Sequence, residues 1–497
     1  MQELNRRMAK GAIWMVFYKL TDRSVGVIST MILARLLVPA DFGLIAMAMS
    51  IIAMLELLGN FSFDIALIQN SQAERRHFDT AWTFNVLFSL GCALVLLALA
   101  IPSARFYHEP RLSNVMWLLA LGSLVQGFEN IGVVAFRKEM KFNKEFKFLL
   151  AKRLATFIVT ITMAFALRNY WALVAGMLVG KFAGVVLSYL SQAYRPRFSL
   201  AARHELFHVS KWLFLNNILF FLRQRSGDFI IGRIAGSSGL GGYNVAYEIS
   251  NLPTTELAAP INRAIFPGYS KMAGDLSVLR QGFLNVISMI AVFALPAGVG
   301  IALTAEPLVK VLLGARWSVV IPLIQVLAIY GILSALVANT SYIYLALGRP
   351  RVLTYLIMAN VCVLVPVTVW QTRVSGVLGA AWAELFTFIG IVPIVFFILL
   401  RKLQLRPLIF YHSIRRPLIS VLVMSAAVRW LQTAWVLNPV WELVVSVAVG
   451  VGSFVVTLLG LWMIDSRPEG SETQLMNALA RTPFAQMVAK RTLDLIQ

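Results

Sequence analysis

About fourteen stretches of mostly apolar residues, each long enough to cross a hydrocarbon layer, run through this chain, and basic residues are set inside several of them. A spanning helix needs roughly 20 such residues, and within lipid every backbone polar group has to be satisfied internally. The pattern therefore restricts the chain to an all-helical integral membrane bundle with a positively charged interior. Of the 497 residues, 59% are hydrophobic and only 13% are charged.

The expected crossings lie near residues 11–35, 42–68, 80–102, 112–135, 148–167, 170–192 and 210–232, then 242–267, 282–303, 318–346, 352–371, 375–400, 417–436 and 440–464. Lys and Arg number 44 against 23 Asp and Glu, a formal charge of +21. In a soluble chain such an excess would suggest nucleic acid. No soluble basic domain exists to carry it, so no nucleic-acid partner is expected. The charge follows the bias of cytoplasmic loops toward Lys and Arg instead, with attraction to anionic membrane lipids as a second contribution. With the N-terminus inside, one face holds about 27 basic residues and the other about seven, among them Arg105, Arg111, Arg168 and Arg233. Both termini are then cytoplasmic in a multi-pass protein. The first apolar segment, with Lys19, Asp22 and Arg23, reads as a retained span and not a cleaved leader. Cys92 and Cys362 fall inside apolar stretches, where a structural disulfide is not expected. After Asp465 the tail is polar, with Leu475, Met476, Leu479, Met487 and Val488 as an interfacial stripe or a plain solvated end.

The halves repeat. Ala34 to Ile51 aligns with Gly232 to Ile249 at a shift of 198 residues, pairing Arg35 with Arg233, Gly43 with Gly241, Ala48 with Ala246 and Ile51 with Ile249. Glu109-Pro110 and Glu306-Pro307 recur at nearly the same shift. A duplicated six-span unit with two added spans divides the chain into lobes at 1–200 and 201–403, accessory helices at 404–465 and a cytoplasmic tail at 466–497.

The segment Leu33 to Met47, LARLLVPADFGLIAM, resembles the first external turn of the Wzx-type polysaccharide transporters of the multidrug, oligosaccharidyl-lipid and polysaccharide exporter superfamily. Arg105-Phe106-Tyr107-His108-Glu109-Pro110, Asp228 to Arg233, Asn262 to Pro267, Ala305-Glu306-Pro307 and Leu347-Gly348-Arg349-Pro350 extend the likeness across most of the chain. It departs at Gly236-Ser237-Ser238-Gly239, where the family commonly has a Pro-containing turn. The resemblance implies two six-helix lobes around a central cavity in a bacterial inner membrane. It also implies export of undecaprenyl-diphosphate-linked oligosaccharides for surface polysaccharide synthesis, alongside a polymerase and export machinery. A lipid II flippase and a drug or cation antiporter of the same superfamily are close alternatives. A membrane glycosyltransferase or polymerase is the alternative from another class.

Basic residues inside spans carry the chemistry. A central Arg or Lys facing lipid costs roughly 2.5 to 3.5 kcal/mol, against about 0.3 to 0.6 gained per large apolar residue. Lys19, Asp22 and Arg23 share one helical face that has to turn inward, either as a wet stripe or as a local ion pair. Lys181 and Arg223 have no acid three or four residues away, whereas Arg225 has Asp228. A diphosphate headgroup is held well by such cations. Lys19, Arg23, Lys181, Arg223, Arg225 and Arg263 are thus the candidate substrate-binding residues. Lys152, Arg153 and Arg35 read as interfacial, and Arg429 belongs to an accessory span. Of the acids in spans, Asp22, Glu56 and Glu256 are candidates for coupling to a proton or sodium gradient, while Asp64, Glu129, Asp228, Glu248 and Glu384 read mainly as partners for the cations.

No enzyme motif competes. His204 and His208 lack the intervening Glu of a metalloprotease, no P-loop or dinucleotide fingerprint is present, and neither catalytic residues, metal ligands nor a cofactor are expected.

Overall fold

The computed structural model describes residues 2–59, 67–68, 73–202 and 211–465. Asp64, the His204 and His208 pair and the tail beyond Asp465 fall outside them. Every regular element among these residues is helical. Helix α1 (Gln2–Leu36) stops just before Val38, whose successor Pro39 disfavours a helical backbone at the preceding residue. Pro39 then opens α2 (Pro39–Gly59), where the Asp41 carboxylate accepts the Val38 N–H at 3.2 Å. Helix α3 (Arg75–Tyr107) ends at His108 in the left-handed conformation, and α4 (Arg111–Gly127) follows after a tight turn. A bend of 62° leads into a short helical stretch ending in α5 (Val134–Lys138). Then come α6 (Phe142–Leu167), α7 (Trp171–Ser191), an extended strap at 192–202 and α8 (Lys211–Ser250).

The second half continues through a π-helical turn at Pro253–Ala258, α9 (Ala259–Met272), α10 (Leu276–Leu303), α11 (Ala305–Leu312), α12 (Ile321–Ala346) and α13 (Pro350–Lys402). The last two are α14 (Pro407–Ala434) and α15 (Pro439–Ile464). Asp275 caps α10 by accepting the Ser277 N–H at 2.8 Å, and Asn438 caps α15 through Val440 at 3.2 Å.

Among the described residues nine helices are long and apolar enough to cross a membrane, or ten if the bent pair at Arg111–Gly127 and Ile131–Lys138 is one span. The protein is a multi-pass membrane protein. The sequence count of about fourteen differs for identifiable reasons. Helix α13 is two helices joined at Ser375 and Gly376, and α8 is two joined at Gly236, each joint using a glycine at positive φ (62° and 72°) that a side chain would strain. Helices α1 and α8 are long enough, but Lys19, Asp22 and Arg23 interrupt the first and Arg223, Arg225 and Asp228 the second.

Two compact units divide the chain, one of Met1–Asn244 with Thr372–Val377, the other of Val245–Gln371 with Leu378–Gln497. In the first, α1 packs on α6 through Trp14, Phe17 and Tyr18, whose rings lie 4.9, 5.6 and 6.4 Å from that of Phe146. Helices α6 and α7 meet along Gly176, Gly180 and Gly184. Methyl groups there would sit 1.7 Å from the Thr160 hydroxyl, 2.4 Å from that of Thr156 and 2.7 Å from the Lys152 ammonium. Small residues four apart permit such close approach of membrane helices. This unit runs past residue 200, the expected lobe boundary, because α8 also packs on its turns. A methyl on Gly43 would meet the Ser237 carbonyl oxygen at 1.7 Å, and one on Gly241 would meet that of Pro39 at 1.9 Å. The two positions equated by the repeat therefore touch backbone to backbone.

In the second unit the buried core joins Tyr269, Phe283, Ile287 and Tyr344 to Leu399 and Leu403. The accessory pair α14 and α15 docks on α10, burying Val421, Met424 and Phe454 against Val292 and Leu295.

Candidate functional site

Two ion-paired nodes lie in the first unit, and adjacent residues of α6 serve both. Lys152 donates to the Glu129 carboxylate at 3.0 Å, with both side chains about three-quarters buried. Gly184 leaves the room for this pair, since a methyl there would lie 3.0 Å from Glu129 Oε2. One helical turn along α7, the half-buried Lys181 reaches the Ser123 hydroxyl at 3.4 Å and feels the charges of Glu56 and Lys152. Its aliphatic stem runs past Gly122. Arg153, next to Lys152, pairs with Asp22 of α1 at 2.9 Å. Lys19 and Arg23 continue the same face of α1, Lys19 exposed and Arg23 half-buried.

On α8, Arg225 donates to Asp228 at 3.0 Å, the local pair visible in the sequence, and the Asn244 side chain also bonds Asp228. Arg223 is half-buried on the same helix. The structure thus gathers Lys181, Glu56, Asp22 and Arg225 into charge networks of one unit. Arg263 and Glu256 are exposed residues of the second unit.

The second unit has a different chemistry. A groove of about 1080 Å³ lies between the turn at Pro253–Ala258, α10 and the accessory helices. Its walls include Val292, Pro296, Gly300, Met424, Val447 and Phe454, and Glu256 is the one ionisable group among the lining residues. Such a surface suits hydrocarbon and offers almost nothing to a sugar or phosphate.

A third cluster holds the turn between α3 and α4. Glu109 accepts two bonds from Arg111, each at 2.8 Å, and a third from Ser237 at 2.9 Å. Ser237 belongs to the glycine-serine turn that departs from the resembled pattern. Gly236 supplies the bend there without proline, and the serine ties the turn to Glu109.

A sequence profile for the family described as polysaccharide biosynthesis protein matches residues 32–322. The chain belongs to that family. Among similar members, the lipopolysaccharide biosynthesis protein WzxC of Escherichia coli is 24% identical over 80% of this chain and 82% of its own length. The succinoglycan biosynthesis transport protein ExoT of Rhizobium meliloti is also 24% identical, over 90% and 91%. In fold, this polysaccharide biosynthesis protein is similar to the lipid II flippase MurJ in its inward closed conformation. The TM-score is 0.72 at 13% identity, over 92% of this chain and 100% of that one. An inward-facing multidrug resistance MATE family transporter of the MOP superfamily gives 0.57 at 16% identity, over 77% of this chain and 94% of that one. The resemblance read from the turn motifs and the all-helical transporter fold are both shown.

Sequence reasoning missed the roles of Lys152 and Arg153 in this family member. Both read as interfacial, yet Lys152 reaches Glu129 in the bend after α4 and Arg153 reaches Asp22 on α1. The signal was available, because neither has an acid three or four residues away, the same test that singled out Lys181 and Arg223. For Asp22 the sequence left a local ion pair and a wet stripe open, and the structure adds a pair across to Arg153 of α6. Spacing within α1 could not reveal a partner 131 residues on.

Proposed function

We propose that this protein is a flippase carrying an undecaprenyl-diphosphate-linked oligosaccharide across the bacterial inner membrane, from the cytoplasmic to the external leaflet, for surface polysaccharide assembly. The observation that carries the reading is Lys181. It is a cation in the middle of a membrane helix whose direct hydrogen bond goes to a hydroxyl and not to a carboxylate. Holding such a charge within the bilayer costs free energy, and an anionic cargo recovers it through charge-assisted hydrogen bonds. Arg223 and Arg23 extend the basic lining. Family relatives named for lipopolysaccharide biosynthesis and succinoglycan transport support the same substrate class. A hydrocarbon-lined groove in the second unit supports a lipid-linked cargo over a free sugar. The protein then acts as a carrier and not as an enzyme, with both termini cytoplasmic, and hands its cargo to a polymerase and export machinery.

Alternating access supplies the mechanism. The cargo binds the inward form, and the return step follows from a difference in affinity between two conformations. Glu56, beside Lys181, and Glu256, in the groove, are the carboxylates that couple this cycle to a proton or sodium gradient. Reconstituted in vesicles with a fluorescent lipid-linked oligosaccharide, the parent protein is expected to make the label accessible at the opposite leaflet. Lys181→Ala is expected to slow that transfer about tenfold, the scale of one charge-assisted hydrogen bond, and Lys181→Arg to restore most of it. Parent-like transfer by a Lys181→Ala, Arg223→Ala double variant at equal abundance would overturn the assignment.

A further inference from the structure

The turn that follows α3 forms a second anion site, which the transport reading does not use. Beside it lies a recess of about 470 Å³, lined by Ile101, Ala104, Arg105, His108, Pro110 and Ser113. No carboxylate contributes to that lining. The neighbouring Glu109 is turned away, both of its oxygens occupied by Arg111 and one of them also by Ser237. Arg105 is exposed and makes no ion pair among the described residues. Arg233 approaches the His108 ring from α8, with Nη1 2.8 Å from Nε2 and in contact with Nδ1, and its guanidinium lies 5.7 Å from the Phe106 ring. Arg105 and His108 thus share the recess and Arg233 reaches the His108 ring, with no carboxylate paired to any of the three among the described residues.

Backbone geometry sharpens the focus. His108 has φ of 54°, a left-handed conformation that reverses the chain so that α4 begins at the recess. The positive end of a 17-residue helix therefore adds to the field, and the Ser113 hydroxyl stands in its first turn. The rim is apolar, with Ile101 and Phe106 about half exposed. A recess lined by Arg105 and His108 with exposed hydrocarbon beside them suits a lipid whose phosphate lies at the interface. Its volume equals about fifteen waters, ample for a diphosphate.

We propose that Arg105, His108, Arg233 and the N-terminal end of α4 form a binding site for the phosphate-bearing headgroup of a lipid. The proposal rests on the orientation given above only for naming the leaflet, which is the external one. Two sources share this chemistry: the diphosphate of a translocated cargo lipid, and the phosphate of a resident anionic phospholipid.

The test measures binding and is independent of transport. Full-length protein is titrated with undecaprenyl diphosphate, with phosphatidylglycerol and with uncharged polyprenol, and retained lipid is counted by native mass spectrometry. Against the parent, an Arg105→Gln, Arg233→Gln double variant is expected to hold a phosphate-bearing lipid about tenfold more weakly, with polyprenol unchanged. Arg168→Gln, on the same face but outside the recess, is expected to match the parent. Loss confined to undecaprenyl diphosphate identifies a cargo exit site, loss confined to phosphatidylglycerol a resident-lipid site, and loss of both a general phosphate site. Unchanged retention of both overturns the proposal. The Arg105→Lys, Arg233→Lys variant keeps both charges and is expected to keep most of the retention. Equal loss in the Lys and Gln variants, with parent-like melting, would show that charge does not hold the lipid and would equally overturn it.

Discussion

A methyl group on Gly176 would sit 1.7 Å from the Thr160 hydroxyl, so one added carbon has to push α6 and α7 apart. Gly176→Ala is expected to cost about 1 to 3 kcal/mol despite its better helix propensity, read as a lower melting temperature in detergent. Gly460→Ala meets nothing within 4 Å and is the neutral control. Equal melting of the two variants would refute the packing argument. The Lys152 and Glu129 pair is open to a double-mutant cycle. Both groups are largely buried, so a coupling of about 1 to 2 kcal/mol is expected, larger than for an exposed pair. A coupling near zero would mean that each charge is solvated by something else. At Glu109, in the turn outside the crossing segments, hydrogen bonds from Arg111 hold the carboxyl below its ordinary 4.5, against an upward push from burial. A carboxyl lowered on folding contributes stability that is present above 4.5 and lost as pH falls through the lowered folded value. Glu109→Gln is expected to melt lower at neutral pH and to lose less on acidification. An unchanged slope of melting temperature against pH would remove Glu109 from the account.

Among the elements, the strap at 192–202 shows how far local sequence carries. It has no helical or strand hydrogen bonds of its own, and side chains of α3 hold it. Asp79 accepts from the Tyr194 hydroxyl at 2.5 Å and the Arg197 N–H at 2.8 Å, and Thr83 accepts from the Ser199 N–H at 2.9 Å. Asn130 donates to the Tyr194 carbonyl at 2.7 Å. Asp79→Asn keeps the shape and removes the charge. It is expected to speed amide hydrogen exchange across the strap at least several-fold, by the loss of charge-assisted bonds, and exchange at the parent rate would show that the threonines suffice. Nothing in the strap's own residues announces that anchor, whose α3 partners lie more than a hundred positions earlier. By contrast, the helices were readable because apolar runs of spanning length admit no other backbone in lipid. The central cations were readable because Lys181 and Arg223 lack local acids. What escaped, such as Lys152 with Glu129 and Arg153 with Asp22, depends on which helix lies next to which, information that periodicity does not contain. Small residues recur every four positions at 176, 180, 184 and 188, a spacing that permits a close helix contact without naming its partner.

For the whole molecule, chemistry is divided between the two units. Charges and their partners concentrate in the first, and the second holds a groove that is hydrocarbon on nearly every wall. Lipid selectivity therefore separates into two measurable parts. Gly300 lines the groove with no atom within 4 Å of a prospective methyl, so a large side chain there projects into empty volume. Gly300→Phe is expected to leave the melting temperature within a few degrees of the parent, since Phe is the better helix former. It is expected to weaken binding of a long-chain polyprenyl diphosphate about fivefold while sparing a short-chain analogue, because only the long chain reaches the groove. Equal loss for both lengths would mean that the groove does not select hydrocarbon.

Gly43 and Gly241 meet with no side chain on either surface. Such a contact has no rotamers to sort and no flexible arm to stretch, and each backbone is fixed by its own helix. Dispersion between two rigid surfaces falls by roughly a quarter to a half over a gap of 0.5 to 1 Å. Attraction here is accordingly steep and short-ranged, closer to a magnetic catch than to a spring. Once parted by an ångström or two, the two helices exert little pull on each other, and on re-approach they seat in a single register.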